Sequence, residues 1–473
     1  MASLPHSHST GSTTLQHLVS AFLSQPGLPF ANVLSAEQIQ RIFSQHHCDF
    51  APDRIYSTAV VLWAFLQQVL SDGKQASCQS AVANIVAHLH LLGAEAPTED
   101  TGDYCRARAK LSQEALRDLT TEVAEQLEPQ ADPSWLWQGL HVKLVDGFTF
   151  TMPDTPANRE AYPPPKTQKP GVGLPIARAA VILSLATACA TAMALGPYSG
   201  KQTGETALLR QLLDSFSAGE LVVMDRYYCS YLMIALLLGR GVQVCTRIHQ
   251  KRRADFRRGC RLGPCDHVVV WTKPEQRPDW MDEATYQALP ETIELRELRY
   301  QVVRPGYRTK SFTIVTTLTD ASVYSKEAIA ELYGFRWNVE LDIRSIKETL
   351  NLAHVRCKSP AMVRKELWTT LLGYNLIRST AAAAALLHKK QPRQLSFTAT
   401  CQYVLAGWQT VSSGLLCGEG LLAYCRVQLE QIAGCEVANR PGRIEPRVIK
   451  RRRHRYKLMQ EPREVLRKKL RTA

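Results

Sequence analysis

Tyr333-Gly-Phe-Arg336-Trp-Asn-Val-Glu340-Leu-Asp-Ile-Arg-Ser-Ile-Lys347 is the stretch whose reading decides the fold. At helical spacing, Tyr333, Arg336, Glu340 and Lys347 project within an arc of roughly 60°. Leu332, Phe335, Val339, Ile343, Ile346 and Leu350 fill the neighbouring arc. The spacing therefore predicts one helix that packs along one side and presents a carboxylate among two cations and a phenol along the next. A solvated helix face laced with charge pairs has the same spacing. A reading as chemistry requires partner carboxylates elsewhere in the chain.

The totals narrow the class. A chain of 473 residues, 45% of them hydrophobic, can bury a sizeable core and divides into two or three domains. Its formal charge of +14 is uneven. Residues 440–473 hold 14 Lys/Arg against 3 Asp/Glu, whereas residues 1–140 hold 7 against 14. Basic charge in the middle and at the end points to a polyanion partner such as nucleic acid. The 13 cysteines are scattered, as in a reducing compartment. Cys260, Cys265 and His267 form a cluster without the second tight pair of a zinc site, so they read as ordinary thiols beside a histidine. Residues 1–14 read as a loose polar tail without the features of a signal peptide. The apolar run Ala179 to Leu195 reads as two buried strands rather than a membrane span.

Along the chain, residues 15–140 have helical periodicity, with Arg106, Arg108 and Lys110 in one local run. The period then changes. His141-Val-Lys-Leu-Val-Asp146 alternates and ends on a carboxylate, followed by a second extended piece, Phe148 to Met152. Strands follow at Ala177 to Ser184 and Cys189 to Leu195, then a helix from Glu205 to Phe216, then Glu220-Leu-Val-Val-Met-Asp225, a second apolar strand stopping at an Asp. Ligand sites in α/β sheets gather where strands end, so the two Asp residues suggest a shared site, although either could cap a turn. A helix from Cys229 to Leu238 and a strand from Val242 to Ile248 complete this pattern. Residues 250–320 then read as a β insertion opening with Lys251, Arg252 and Arg253. Helices are expected at Leu367 to Leu387 and Leu421 to Ile432, in a catalytic portion reaching residue 390 and a helical region over 391–439, before the basic tail of 440–473 with its Lys450 to Arg455 block.

The spacing Y-x2-R-x3-E-x6-K resembles the signature of DDE transposases of the insertion-sequence-four family, in the subgroup marked by Tyr, Arg, Glu and Lys. The Asp146-Gly-Phe-Thr-Phe-Thr-Met-Pro-Asp-Thr-Pro and Asp225-Arg-Tyr-Tyr segments are similar to that family's first and second Asp regions. The resemblance implies an α/β, ribonuclease-H-like catalytic core over 141–249 and 321–390, with the β insertion at 250–320, a helical N-terminal domain, and helices and a basic tail behind. It implies Asp146, Asp225 and Glu340 as catalytic metal ligands for two Mg²⁺ ions, for which Mn²⁺ may substitute. Hard cations suit such oxygen donors, and a two-metal site serves both the attacking and the leaving oxygen of phosphodiester cleavage. Asp154, Asp320 and Asp342 are read as decoys. Tyr333, Arg336 and Lys347 are expected on DNA phosphates, with Arg252, Arg253 and Trp271 from the insertion. In that subgroup an aromatic side chain of the insertion holds a flipped base, for which Trp271 and Trp280 are the available tryptophans.

The resulting expectation is a prokaryotic, cytoplasmic, DNA-associated transposase that cuts its element's terminal inverted repeats and joins them to target DNA, acting as a dimer with no membrane role. Two alternatives share these features: a metal-dependent DNA nuclease on the same fold, and a non-catalytic DNA-binding protein derived from a transposase.

Overall fold

A computed structural model of the chain describes residues 36–48, 50, 55–91, 97–165, 171–301, 311–412, 418–438 and 459–472. The tail at 1–14 and the Lys450 to Arg455 block lie outside the described residues. Two compact units emerge, one drawn from Met1–Leu127 with Arg364–Glu436, the other from Glu128–Val363 with Val437–Ala473.

The first unit is helical. It contains α1 (Ala36–Gln45), α2 (Thr58–Leu70), α3 (Cys78–Leu91), α4 (Thr101–Lys110) and α5 (Gln113–Leu127). Helix α2 is apolar on nearly every side and is buried accordingly, with Ser57 accepting from the Val60 N–H as its cap. Arg108 turns inward, its guanidinium 4.9 Å from the Phe65 ring centre and bonded to Gln68. The Arg106, Arg108 and Lys110 run is therefore not one basic stripe.

The second unit is built on one nine-stranded sheet in the order β3-β2-β1-β4-β5-β9-β8-β7-β6. Its strands are β1 (Val142–Thr151), β2 (Ile176–Ser184), β3 (Ala190–Pro197), β4 (Leu221–Met224), β5 (Gln243–Arg247), β6 (Cys260–Gly263), β7 (Asp266–Thr272), β8 (Thr292–Gln301) and β9 (Ser311–Thr316). The run from Ala179 to Leu195 is indeed two strands, parts of β2 and β3. Between the strands lie α6 (Pro156–Ala161), α7 (Glu205–Arg210), α8 (Tyr231–Leu238) and α9 (Glu283–Ala288). After β9 come α10 (Lys326–Gly334), α11 (Trp337–Arg344) and a wide π turn over Ser345–Thr349. Helix α12 (Pro360–Leu387) runs on into the helical unit, which α13 (Phe397–Ser412) and α14 (Gly418–Gly434) complete, and α15 (Arg463–Thr472) belongs to the second unit. Within the helical unit the polar residues of α12 are buried anchors. Asn375 donates to the Thr120 carbonyl at 3.0 Å, and Arg378 donates to the Tyr374 hydroxyl at 3.0 Å.

Strand β1 is antiparallel to β2 and parallel to β4, and β4 is parallel to β5. Val145, Val222, Met224 and Val244 point into one core with Leu208, Ile234 and Leu237 from α7 and α8. Since strand side chains alternate, Asp146 points to the other face, where α11 packs on β1 and α10 on β5. The opposite end of β1 is held by Lys143, buried between Glu128 and Glu220 at 3.3 Å from each.

Two expectations change. Asp146 is not at a strand end: β1 continues to Thr151 because β2 still pairs with it after β4 has stopped at Met224. The Tyr333 to Lys347 stretch is not one regular helix, since it turns at Phe335 and Arg336 between α10 and α11 and widens again at Ser345. The insertion strands β6 to β8 extend the central sheet through β9, which pairs with β5.

Two buried polar pairs lie across β7 and β8. Arg296, 1% exposed, donates to both oxygens of Asp266 at 2.8 and 2.6 Å and to the Tyr324 carbonyl at 2.6 Å. Beside it, Glu297 accepts from Trp271 Nε1 at 3.0 Å and faces His267 Nε2 at 3.2 Å. Removing one partner of a buried pair strands the other charge. Arg296→Ala is therefore expected to cost about 3–5 kcal/mol in denaturant unfolding, whereas Arg296→Met combined with Asp266→Leu should recover most of it. Equal destabilisation by both variants would show that packing, not the stranded charge, is what Arg296 provides.

Candidate active site

The parallel register of β1 and β4 aligns the two aspartates. Val145 pairs with Met224, the last pair between strands spaced about 4.8 Å apart, so Asp146, within β1, and Asp225, just beyond the end of β4, are the residues that follow it. Asp225 leads into a short 3₁₀ turn, Arg226–Tyr228, and its backbone carbonyl accepts from Thr246 Oγ1 at 3.1 Å. Its carboxylate has no hydrogen bond or ion pair with any described residue.

Glu340 approaches from α11, and Arg336 links it to β1. The Arg336 guanidinium donates to Glu340 Oε1 at 2.5 Å and lies 3.7 Å from Asp146 Oδ2. The end of β1 is tied to the segment after the π turn: the Thr151 N–H donates to the Ala353 carbonyl at 3.1 Å, and the Val355 N–H returns to Thr151 at 3.0 Å. Asn158, fully buried, donates to the Pro153 and Cys357 carbonyls. These bonds fix α11 against β1 although the segments are far apart in sequence.

The site is electrostatically strained in one direction. Burial pushes the Asp146 carboxyl up to about 6; the Gly147 N–H, bonded to Oδ1 at 2.8 Å, and the Arg336 charge pull it down, while Glu205 and Glu340 push it up again. Tyr333 is buried, its ring 5.5 Å from that of Phe312, and burial drives its hydroxyl well above the ordinary phenol range. Arg336 and Asp225 both act on it, so it belongs to the same locality. Lys347 sits in the π turn, half-buried, with its ammonium unpaired among the described residues.

The insertion residues lie elsewhere on the unit's surface and core. Arg252 and Arg253 are exposed. Trp271 is only 6% exposed, its Nε1 held by Glu297 and one face covered by Arg252 at 3.9 Å, and Trp280 is covered by Arg210 at 3.9 Å. Neither ring is open for a base to stack on in this conformation. Of the three decoys, Asp154 is paired with Arg159 and Arg463, Asp320 accepts from Ser322 N at 2.8 Å in a tight turn, and Asp342 is buried. Cys260 and Cys265 are exposed free thiols, and His267 is occupied by Glu297 and the Arg258 carbonyl. Sequence reasoning missed Glu205, which begins α7 and packs against Gly147. Its Thr-Gly-Glu-Thr context looks like any helix start, so nothing local marks it.

Among the described residues no three His, Cys, Asp or Glu side chains converge as a ready-made metal cage. The donor chemistry nonetheless fits a hard divalent cation: Asp225 is unpartnered, and Asp146 and Glu340 share a guanidinium that a cation could replace.

Residues 137–376 match the family model described as a transposase DDE domain. The chain is 30% identical over 356 residues, 74% of its own length and 76% of the other's, to the transposase InsG for insertion sequence element IS4 from Escherichia coli (strain K12). It is also similar, at 10% identity and a TM-score of 0.41 over 90% of this chain and 86% of the other, to a piggyBac transposase solved in a synaptic complex with hairpin DNA. The chain belongs to the DDE transposases, enzymes that cleave DNA and transfer the cut strand, and that generally use divalent metal ions. Among the described residues no helix is long and apolar enough to cross a membrane.

The raised Asp146 carboxyl gives a test independent of activity. A carboxyl whose folded-state value is raised adds stability below its unfolded value near 3.8 and loses that contribution as pH rises through about 6. Ionised Asp146 should thus destabilise the metal-free fold at pH 8, and Asp146→Asn should relieve up to about 3 kcal/mol there. Thermal unfolding in chelator should show the variant more stable at pH 8 and equal to the wild type near pH 4. A constant difference across that range would mean that Asp146 is not held in this environment.

Proposed function

We propose that this protein is a cut-and-paste transposase of the Tyr-Arg-Glu-Lys subgroup, with a ribonuclease-H-like catalytic core drawn from both sides of the 250–320 insertion. Asp146, Asp225 and Glu340 are its catalytic carboxylates. The observation that carries the reading is the contact of one guanidinium, Arg336, with both Asp146 and Glu340, beside an Asp225 that follows the Val145–Met224 pair and has no partner among the described residues. Further support comes from the strand order β3-β2-β1-β4-β5, with β1 antiparallel to β2 and parallel to β4.

In this reading the three carboxylates would hold two Mg²⁺ ions, or Mn²⁺ in their place, and the chemistry such ions would supply is activation of the attacking oxygen and stabilisation of the leaving one. The protein's own groups bind and orient. Arg336 releases Glu340 and grips a phosphate with its planar fork. Lys347 contributes a point charge, and the Tyr333 hydroxyl, kept protonated by burial, donates to a phosphate oxygen. Arg252 and Arg253 contact the duplex backbone from the insertion. Trp271 serves best as the platform that carries Arg252, and reaches a flipped base only if the insertion opens. The substrates are the terminal inverted repeats of the protein's own element and a target duplex, joined in a complex of at least two protomers. The setting is the DNA-containing cytoplasm of a prokaryote.

The test is strand cleavage by the purified protein on labelled duplexes taken from either side of its gene, with Mg²⁺, beside Glu340→Ala. The wild type should cut at a fixed distance from the gene and join the ends to plasmid. The variant should lose at least about 10²-fold in rate, as expected when a transition-state charge stabiliser is removed, while retaining DNA binding. Cleavage without joining would identify a nuclease, and salt-sensitive binding with no cutting by either protein, in Mn²⁺ as well, would identify a non-catalytic binder.

A further inference from the structure

Glu205 lies hard against the backbone of Gly147, the residue after Asp146. A Cβ at position 147 would stand 2.5 Å from Glu205 Cγ and 2.6 Å from Cδ. Any side chain there would evict the glutamate, so the glycine provides the seat for its stem. The Glu205 carboxylate forms no hydrogen bond or ion pair with any described residue in return. An acidic side chain packed onto the β1 backbone with no cationic partner among the described residues is an unfavourable use of that space, because it repels Asp146.

A second feature points to the same place. Tyr228 is 1% exposed, and its hydroxyl has no hydrogen-bond partner among the described residues. Burial and the charges of Glu205, Asp146 and Asp225, in that order, keep it protonated, with Arg178 opposing. Buried hydroxyls are nearly always bonded, so an orphan beside three carboxylates calls for an explanation. Tyr228 follows Asp225 by three residues and is locked in the core with α8, and so is not free to swing out.

We propose that Glu205 is a fourth carboxylate of the catalytic centre and that the Tyr228 hydroxyl becomes its hydrogen-bond donor in the cation-loaded state, the two together seating Asp146 for divalent-cation binding. The inference rests on Asp146, Asp225 and Glu340 being the cation-binding set. Glu205 raises the negative charge beneath Asp146, which favours cation uptake, and Tyr228 limits where that charge can sit. Both act as positioning residues, since neither need touch the DNA.

The experiment is Mn²⁺ binding to the full-length protein without DNA, followed by the electron paramagnetic resonance signal of free Mn²⁺, with thermal unfolding of each variant alongside. Glu205→Gln should weaken Mn²⁺ binding about tenfold or more. Tyr228→Phe should weaken it while leaving the melting temperature unchanged or higher, because an unbonded buried hydroxyl is removed; a purely structural tyrosine could not give that opposition. Glu348→Gln, an exposed acid paired with Arg344, should behave as wild type. Wild-type Mn²⁺ affinity in both Glu205→Gln and Tyr228→Phe, with loss in Asp225→Asn, would overturn the inference and leave the three-carboxylate set standing. Wild-type affinity in Asp225→Asn as well would overturn that set and the inference together. Should Glu205→Gln fail to fold, Tyr228→Phe decides alone.

Discussion

The contact on which the candidate site depends is the Arg336 guanidinium between Glu340 and Asp146. Two carboxylates from β1 and α11 would repel each other across a partly buried gap, and one cation at 2.5 Å from Glu340 and 3.7 Å from Asp146 offsets that repulsion. The charge is fixed, since guanidinium does not release its proton in proteins. Arg336 can therefore hold the two carboxylates close, and in the proposed mechanism it would give up Glu340 to a cation. That exchange would couple the site's readiness to what draws Arg336 away, for which a DNA phosphate is well suited.

Around this contact the sheet supplies alignment that no single residue could. Parallel pairing of β1 with β4 sets Asp146 beside Asp225, and the Thr151, Ala353 and Val355 backbone bonds set α11 over them. The remote end of β1 is fastened by Lys143 between two glutamates. The insertion lengthens the same sheet, and its exposed Arg252 and Arg253 lie in the connection between β5 and β6.

Much of this was legible in the chain, and the failures have physical causes. Apolar runs ending at Asp146 and Asp225 marked the strands, because buried parallel strands read as continuous hydrophobic stretches. Where β1 stopped was not legible, since its end is set by the partner β2 and not by its own residues. The projection of Tyr333, Arg336, Glu340 and Lys347 onto one helix gave the stretch the wrong regularity, as neither the turn at Phe335 and Arg336 nor the π turn at Ser345 has a local signature. Trp271 looked available because burial by Glu297 and Arg252 is a tertiary fact. Glu205 was invisible for the same reason: its neighbour Gly147 lies 58 positions earlier in the chain.

The central claim is that a divalent cation binds where β1, β4 and α11 meet. The most direct measurement replaces that cation with Fe²⁺, generates hydroxyl radicals at it with ascorbate and peroxide, and maps the backbone cuts by mass spectrometry. Cuts clustered next to Asp146, Asp225 and Glu340, suppressed by excess Mg²⁺ and lost in Asp225→Asn, are the predicted result. Cuts elsewhere, or cuts at these segments that neither Mg²⁺ nor the substitution abolishes, would contradict the account.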